Sequence, residues 1–388
     1  MPPNRTSSRR LRLPQSLFYV TVATALLLLI GQLHTSARRQ QSSRAKPATQ
    51  LQNSSPQRHN DVFDLFTSHM RAPRRNATFL KQPRGRFYAR NRTCAAGNST
   101  AAAATVTMVT FIKSAAANLR RRELLRRTWT SVCSMNGWSL RAVYVIGRTW
   151  HAATNRLLEE EQRRYGDLLQ YDGPDNYRNM PYKVLAGMQW ADQRLPGRVL
   201  YASADDDFLV DLEALTGGFE KRLEAARSKN QSSENAQPTV LPPPRGYEWI
   251  EVTDERDVTA PMLCLFSGGT LEPVGRDGKW RVDRDVYPHE WFPRYCHGGM
   301  YVMEVDTMRR ILRESRHAPA LHLDDVWITG VLRHRAGIAD RLVLGWPHVA
   351  VHYGAAGGDV GATMEAEWTV LMDRMSSKPD NKICKCPL

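Results

Sequence analysis

The chain has 388 residues, 42% of them hydrophobic with ten Trp and thirteen Tyr, which excludes a disulfide-held mini-protein and a wholly disordered chain. Its 54 Lys+Arg against 39 Asp+Glu give a formal +15, a value that suggests nucleic acid or an anionic membrane until it is located. Residues 1–104 hold 17 of the basic residues and only two acids, Asp61 and Asp64, so residues 105–388 carry 37 of each sign; this balance predicts against the nucleic-acid partner that the total charge alone suggests.

Taken in order, Arg5, Arg9, Arg10 and Arg12 precede an uncharged apolar run, Leu17 to Leu33, whose 17 residues span roughly 26 Å as a helix. The positive-inside rule predicts a cytosolic tail at 1–16, a single signal-anchor helix at 17–33 and everything beyond on the lumenal side. A cleaved signal peptide, with Thr35-Ser36-Ala37 as its small-residue site, is the competing reading; the length of the apolar run favours the uncleaved anchor. Residues 34–104 are rich in Gln, Ser, Arg, Pro and Ala without periodicity, which predicts a largely disordered stem. Asn-X-Ser/Thr sequons at Asn53, Asn76, Asn91 and Asn98, with another at Asn230, agree with a lumenal location. The six cysteines, Cys94, Cys133, Cys264, Cys296, Cys384 and Cys386, would then meet oxidising conditions, and an even number predicts disulfides, with Cys384 and Cys386 each reaching back to the domain. The sequence leaves the pairing and the oligomeric state open.

From Thr105 the pattern becomes α/β. Thr105 to Ile112, Leu140 to Ile146 and Val199 to Ala204 read as strands; Asn118 to Trp129, Ala153 to Tyr165 and Tyr182 to Gln193 read as helices. This order predicts a mostly parallel sheet with ligands at the carboxyl ends of its strands, within a domain covering 105–388. Ser228 to Pro244 reads as a surface loop.

The strand at Val199 runs directly into Asp205-Asp206-Asp207. An isolated Asp triplet is usually a solvated turn, but three carboxylates at the end of a buried strand repel one another and suit Mg²⁺ or Mn²⁺ bridging to a diphosphate. Asp324-Asp325 precede a helix at Val326, where one carboxylate can cap the backbone or serve as general base. Arg120 to Trp129 places five arginines along one helix, either a solvated face or a set of phosphate contacts. Tyr287 to Met303 concentrates aromatics before a Gly298-Gly299 step, as a core turn or a substrate wall.

Six of these pieces, in this order, resemble the motifs of the β1,3-glycosyltransferases of family 31. Arg121 to Trp129 is similar to R-R-x-x-I-R-x-T-W, Val143 to Gly147 to the V-F-L-L-G strand, and Tyr165 to Gln170 followed by Asp175 to Asn179 and Lys183 to Y-G-D-I-I-Q, D-x-Y-x-N-L and a lysine. Asp205 to Val210 resembles D-D-D-x-F-V, Phe292 to Val302 resembles Y-P-x-Y-x-x-G-x-G-Y-V, and Asp324-Asp325-Val326 with Gly330 resembles E-D-V-x-x-G. Gly299-Met300 departs from the family's glycine spacing, and Asp324 stands where Glu is usual. The resemblance implies a GT-A fold with a nucleotide-sugar half and an acceptor half. It implies inverting β1,3 transfer of a hexose, galactose above all, from a UDP-sugar to a glycan hydroxyl, by a type II Golgi membrane enzyme. UDP-GlcNAc or UDP-GalNAc as donor is the alternative, and a non-catalytic lumenal binding or chaperone-like protein the alternative of another class. Carried onto this chain, Asp205 and Asp207 would hold Mn²⁺ or Mg²⁺, with His352 or His348 as a further ligand, and Asp206 would support them or contact the ribose. Asp325, with Asp324 in reserve, would be the base, and Arg122, Arg126 and Lys183 would contact nucleotide and phosphate.

Overall fold

The computed structural model describes residues 77–84, 106–197, 199–232, 261–267, 269, 271–353 and 359–386. The expected cytosolic tail, the anchor at 17–33, nearly all of the stem and the sequons at Asn53, Asn76, Asn91 and Asn98 lie outside the described residues. Among the described residues, no helix is long and apolar enough to cross a membrane.

The fold is mixed α/β around one ten-stranded sheet. In chain order the elements are β1 (Phe79–Lys81), β2 (Val106–Lys113), α1 (Leu119–Arg127), β3 (Val132–Met135), β4 (Trp138–Arg148), α2 (Ala152–Tyr165), β5 (Leu168–Pro174), α3 (Met180–Arg194), β6 (Val199–Asp205) and β7 (Phe208–Val210). There follow α4 (Leu212–Ser232), β8 (Met262–Cys264), β9 (Met300–Glu304), α5 (Val305–Glu314), a π-helical segment at Val326–Leu332, β10 (Val343–Gly345), β11 (Ala350–His352), α6 (Val360–Ser376) and β12 (Ile383–Lys385). The strand order is β1-β5-β4-β2-β6-β9-β8-β10, with β3 and β12 added beside β4, while β7 and β11 form a separate antiparallel ribbon. The central β5-β4-β2-β6 block is parallel, as the βαβα pattern predicts; β9 then runs antiparallel to β6.

Both faces of this sheet are buried, which is why its strands read as nearly continuous apolar runs. On β2, Val109 and Phe111 enter one core with Val143, Val145, Trp190 and Trp327, while Met108 and Ile112 enter the other with Tyr144, Trp129 and Trp368. The expected loop at Ser228 begins later than its composition predicts, because α4 continues through Ser232. The segment Arg227-Ser228-Lys229-Asn230-Gln231 holds no Gly or Pro to stop it, and Lys, Arg and Gln are good helix formers.

Two cysteine expectations take definite form. Cys264, the last residue of β8, is bonded to Cys296, and closing that 32-residue separation is worth about 3–4 kcal/mol by loop entropy. Replacing both by serine is expected to lower the melting temperature of the full chain by roughly 10 °C, measurable by thermal denaturation under non-reducing conditions. At the C-terminus β12 pairs with β3, Cys384 is disulfide-bonded, and the Cys386 amide donates to the Ser131 carbonyl at 2.6 Å. A hydrogen bond with Cys386 lowers the Cys133 thiol to about 7.

Candidate active site

Because β2 and β6 are parallel neighbours in register, with Lys113 opposite Asp205, their carboxyl ends deliver two charged residues to one edge of the sheet. Lys113 is almost wholly buried. Its Nζ lies 3.0 Å from Asp205 Oδ1 and 2.8 Å from Asp324 Oδ2, so one ammonium joins the Asp triplet to the second acidic pair, which lies more than a hundred residues later in the chain. Burial lowers the Lys113 pKa, but the carboxylates of Asp205 and Asp324 outweigh it and keep the group charged.

The three aspartates have separate partners. Asp205 is pushed up to about 6, first by burial, with Lys113 opposing and Asp324 and Asp207 adding to the rise. Asp206 accepts from Ser114 Oγ at 2.6 Å and Asn118 Nδ2 at 3.1 Å, which ties the triplet to the loop after β2. Asp207 places Oδ2 at 3.2 Å from His352 Nε2, on the β7–β11 ribbon, while its buried Oδ1 has no hydrogen-bond partner among the described residues. A carboxylate with an unsatisfied buried oxygen beside an imidazole nitrogen is a donor pair whose chemistry fits Mn²⁺ or Mg²⁺. Among the described residues, no three His, Cys, Asp or Glu side chains gather into a complete metal site. His348 stands apart, lining a groove with Leu209, Asp211, Val351 and Glu367.

Asp325 sits at the start of the π-helical segment and is gripped by two backbone amides. Gly298 N–H donates to Oδ2 at 2.7 Å and Val326 N–H to Oδ1 at 2.8 Å. Burial, and then the Asp324 charge, nevertheless push its pKa up to about 6, the range a general base needs to be ionised yet basic at neutral pH. The Gly298-Gly299 step does admit a close approach, though of a side chain of the protein. Gly299 has φ +116°, and a Cβ there would lie 2.1 Å from Phe208 Cζ, so only glycine lets β9 pack on the residue after the triplet. Beside this step, Glu272 accepts from Tyr295 Oη at 2.7 Å and meets His297 Nε2 at 3.1 Å.

The basic residues expected at phosphates lie inside the protein. Arg122 is fully buried; its Nε and Nη2 hold both oxygens of Glu161 at 2.8 and 2.7 Å, and Nη1 donates to Ser114 Oγ and the Ala115 carbonyl. Arg126 pairs with Asp167 and Glu161 and stacks over Tyr144 and Tyr165 at 4.5 and 4.0 Å. Lys183 donates to the Ser114 carbonyl at 2.7 Å and to Asp175 Oδ1 at 2.6 Å, while Asp175 also accepts from the Ala116 amide. Arg122, Lys183 and Asp175 therefore shape the loop at Ser114 to Asn118 from beneath, and that loop holds Asp206. Lys113 was missed by sequence reasoning; the signal was an apolar strand closing on a lysine just before a Ser-Ala-Ala-Ala run.

The galactosyltransferase family profile matches residues 120–244 and 252–342, more than half of the chain, and the chain belongs to this family, glycosyltransferase family 31, whose members are hexosyltransferases. Among its relatives is the mouse acetylgalactosaminyl-O-glycosyl-glycoprotein β1,3-N-acetylglucosaminyltransferase, 25% identical over 354 residues, 86% of this chain and 80% of that protein. The Drosophila melanogaster β1,3-galactosyltransferase brn is 28% identical over 59% of this chain and 60% of its own length. Human β1,3-galactosyltransferase 4 is 27% identical over 60% and 61%. Thus the chain spans about three-fifths of the length of these last two. Apo mouse xyloside xylosyltransferase 1 superposes with a TM-score of only 0.28 at 10% identity, over 60% of this chain and 83% of that one.

Proposed function

We propose that the chain is an inverting β1,3-glycosyltransferase of GT-A type that moves a hexose, galactose first, from a UDP-sugar to a hydroxyl of a glycan acceptor. In this reading Leu17 to Leu33 anchors it in the Golgi membrane with the catalytic domain lumenal. The observation that carries the reading is the juxtaposition made by Lys113: a carboxylate-rich donor corner, Asp205 to Asp207, joined to a base corner, Asp324 and Asp325. Asp325, fixed by the Gly298 and Val326 amides, accepts the proton of the attacking hydroxyl as that oxygen approaches the anomeric carbon from the face opposite the leaving group, which gives inversion without a glycosyl-enzyme intermediate. Lys113 keeps Asp324 neutralised beside the base, and Asp206 holds the Ser114 to Asn118 loop in place under the donor. Asp207 and His352 would hold Mn²⁺ or Mg²⁺, with Asp205 at hand. The ion's chemistry there would be Lewis-acid neutralisation of the diphosphate leaving group.

Galactose is the first choice from the family and from the relatives named galactosyltransferases; the mouse relative, named for N-acetylglucosaminyl transfer, supports UDP-GlcNAc as the second. Full-length protein in detergent, screened against common UDP-sugars with galactoside, N-acetylhexosaminide and xyloside acceptors, is expected to release UDP with one of these two donors only. Activity should be lost on EDTA treatment and return with Mn²⁺. Asp207→Ala is expected to lower kcat by roughly 10²-fold or more; full activity of that variant, or indifference to EDTA, would remove the metal from the scheme.

A further inference from the structure

Aromatic rings that cluster, half exposed, at the carboxyl edge of the sheet beside the candidate site offer an apolar face to a ligand. Tyr177 and Trp280 are such a pair, about half exposed at 52% and 49%. They come from distant parts of the chain. Tyr177 follows β5, a strand parallel to β4, β2 and β6, so it emerges on the same edge of the sheet as Lys113 and Asp205, two residues beyond the Asp175 that braces the Ser114 to Asn118 loop. Trp280 lies in the segment between β8 and β9. The Arg276 guanidinium fixes this segment by donating to the carbonyls of Val282, Tyr287 and His289. The two ring centroids stand 6.1 Å apart at 46°, and the Lys279 ammonium lies 4.1 Å from the Trp280 centroid and 5.7 Å from that of Tyr177. The position relative to the chemistry is also recorded electrostatically. Burial, then the charges of Asp324, Asp325 and Asp205, push the Tyr177 hydroxyl up to about 12.

A hexopyranose ring presents a C–H face rimmed by hydroxyls, which an aromatic face covers while polar groups at its edge bind the rim. We infer that Tyr177 and Trp280, with the Lys279 ammonium that lies over their rings turned to the sugar's hydroxyls, form the platform that seats the acceptor's reacting hexopyranose beside Asp325. The inference rests on the glycosyltransferase reading and adds to it the acceptor subsite.

The test uses full-length protein, Trp280→Ala, Tyr177→Ala and the conservative Trp280→Phe, with two readouts. Transfer kinetics give separate KM values for donor and acceptor. Titration with methyl β-galactoside and N-acetyllactosamine, followed by ligand-observed NMR, reports acceptor binding without turnover. Both alanine variants are expected to raise acceptor KM about tenfold or more with donor KM unchanged, to weaken binding of the free sugar in parallel, and Trp280→Phe to restore most of each. Unchanged acceptor KM and sugar binding in the alanine variants, or a rise confined to donor KM, would overturn the platform. Wild-type protein that binds the sugars through Trp280 yet transfers nothing would retain the platform and sink the transferase reading; neither binding nor transfer would sink both.

Discussion

Asp325→Asn is expected to lower kcat by ~10²–10⁴ with donor binding intact, because it keeps the side chain's volume and removes its capacity to take a proton; one of its two accepting oxygens becomes an NH₂ facing a backbone N–H, so a stability loss of about 1–3 kcal/mol accompanies it. The native carboxylate accepts the Gly298 and Val326 amides on its two oxygens, so its orientation is set by backbone on both sides. The sign of the pH dependence follows from its environment. Burial, then repulsion from Asp324, push the group up to about 6 against the opposing amide bonds and Lys113, and a base must be ionised to act. Wild-type kcat/KM is therefore expected to rise with pH through about 6 and to level off near 7, and the residual activity of Asp325→Asn should lack that limb. A variant with wild-type kcat, or an unchanged acid limb in the variant, would assign the proton to another group. Steady-state kinetics from pH 5 to 8 with saturating donor, alongside circular dichroism to confirm folding, decide the matter.

The second large effect concerns folding. Arg122→Met should destabilise the chain by about 2–4 kcal/mol, because it takes from Glu161, whose side chain is 1% exposed, its bidentate partner and leaves it the Arg126 guanidinium alone. It also releases the Ala115 and Ala116 carbonyls and the Ser114 hydroxyl from their donor. The same arginine, placed at a phosphate, would show a different signature: unchanged melting and a raised donor KM. Thermal melts of Arg122→Met, compared with the exposed control Arg120→Met, separate the two roles. Melting unchanged with donor KM raised would return Arg122 to the nucleotide.

How much of this was legible in the sequence differs by element. The parallel block was legible because its strands are buried on both faces, so apolar runs such as Thr105 to Ile112 and Val199 to Ala204 stand out, and the observed strands end within one to two residues of those bounds. Helices α2 and α3 were legible from their 3.6-residue periodicity. The individual duties of charged side chains were not. A run of arginines has the same composition whether it faces a diphosphate or, as with Arg122 and Arg126, lies buried against Glu161 and Asp167. Nothing local distinguishes these, because the partner acids come from α2 and the turn after it. For the same reason Lys113 went unread: its partners, Asp205 and Asp324, are distant in sequence and meet it only through the β2–β6 register and the start of the π-helical segment. His348 and His352, four residues apart, were equivalent candidates in sequence, and the pairing of β11 with β7, which sets His352 opposite Phe208, separates them.

Phe208 gathers these threads. Its carbonyl accepts from Trp129 Nε1 at 2.8 Å, its ring fills the space that a side chain on Gly299 would take, and the same ring lies 4.9 Å from that of His352 and 5.2 Å from Phe266. One benzyl group thus indexes the Asp triplet, the glycine step that grips Asp325 and the ribbon carrying the histidine to a common reference point. On the proposed reading, the surface segments around Tyr177 and between β8 and β9 are where a new acceptor would be fitted, whereas a change of size at Phe208 would displace Gly299 and His352 together.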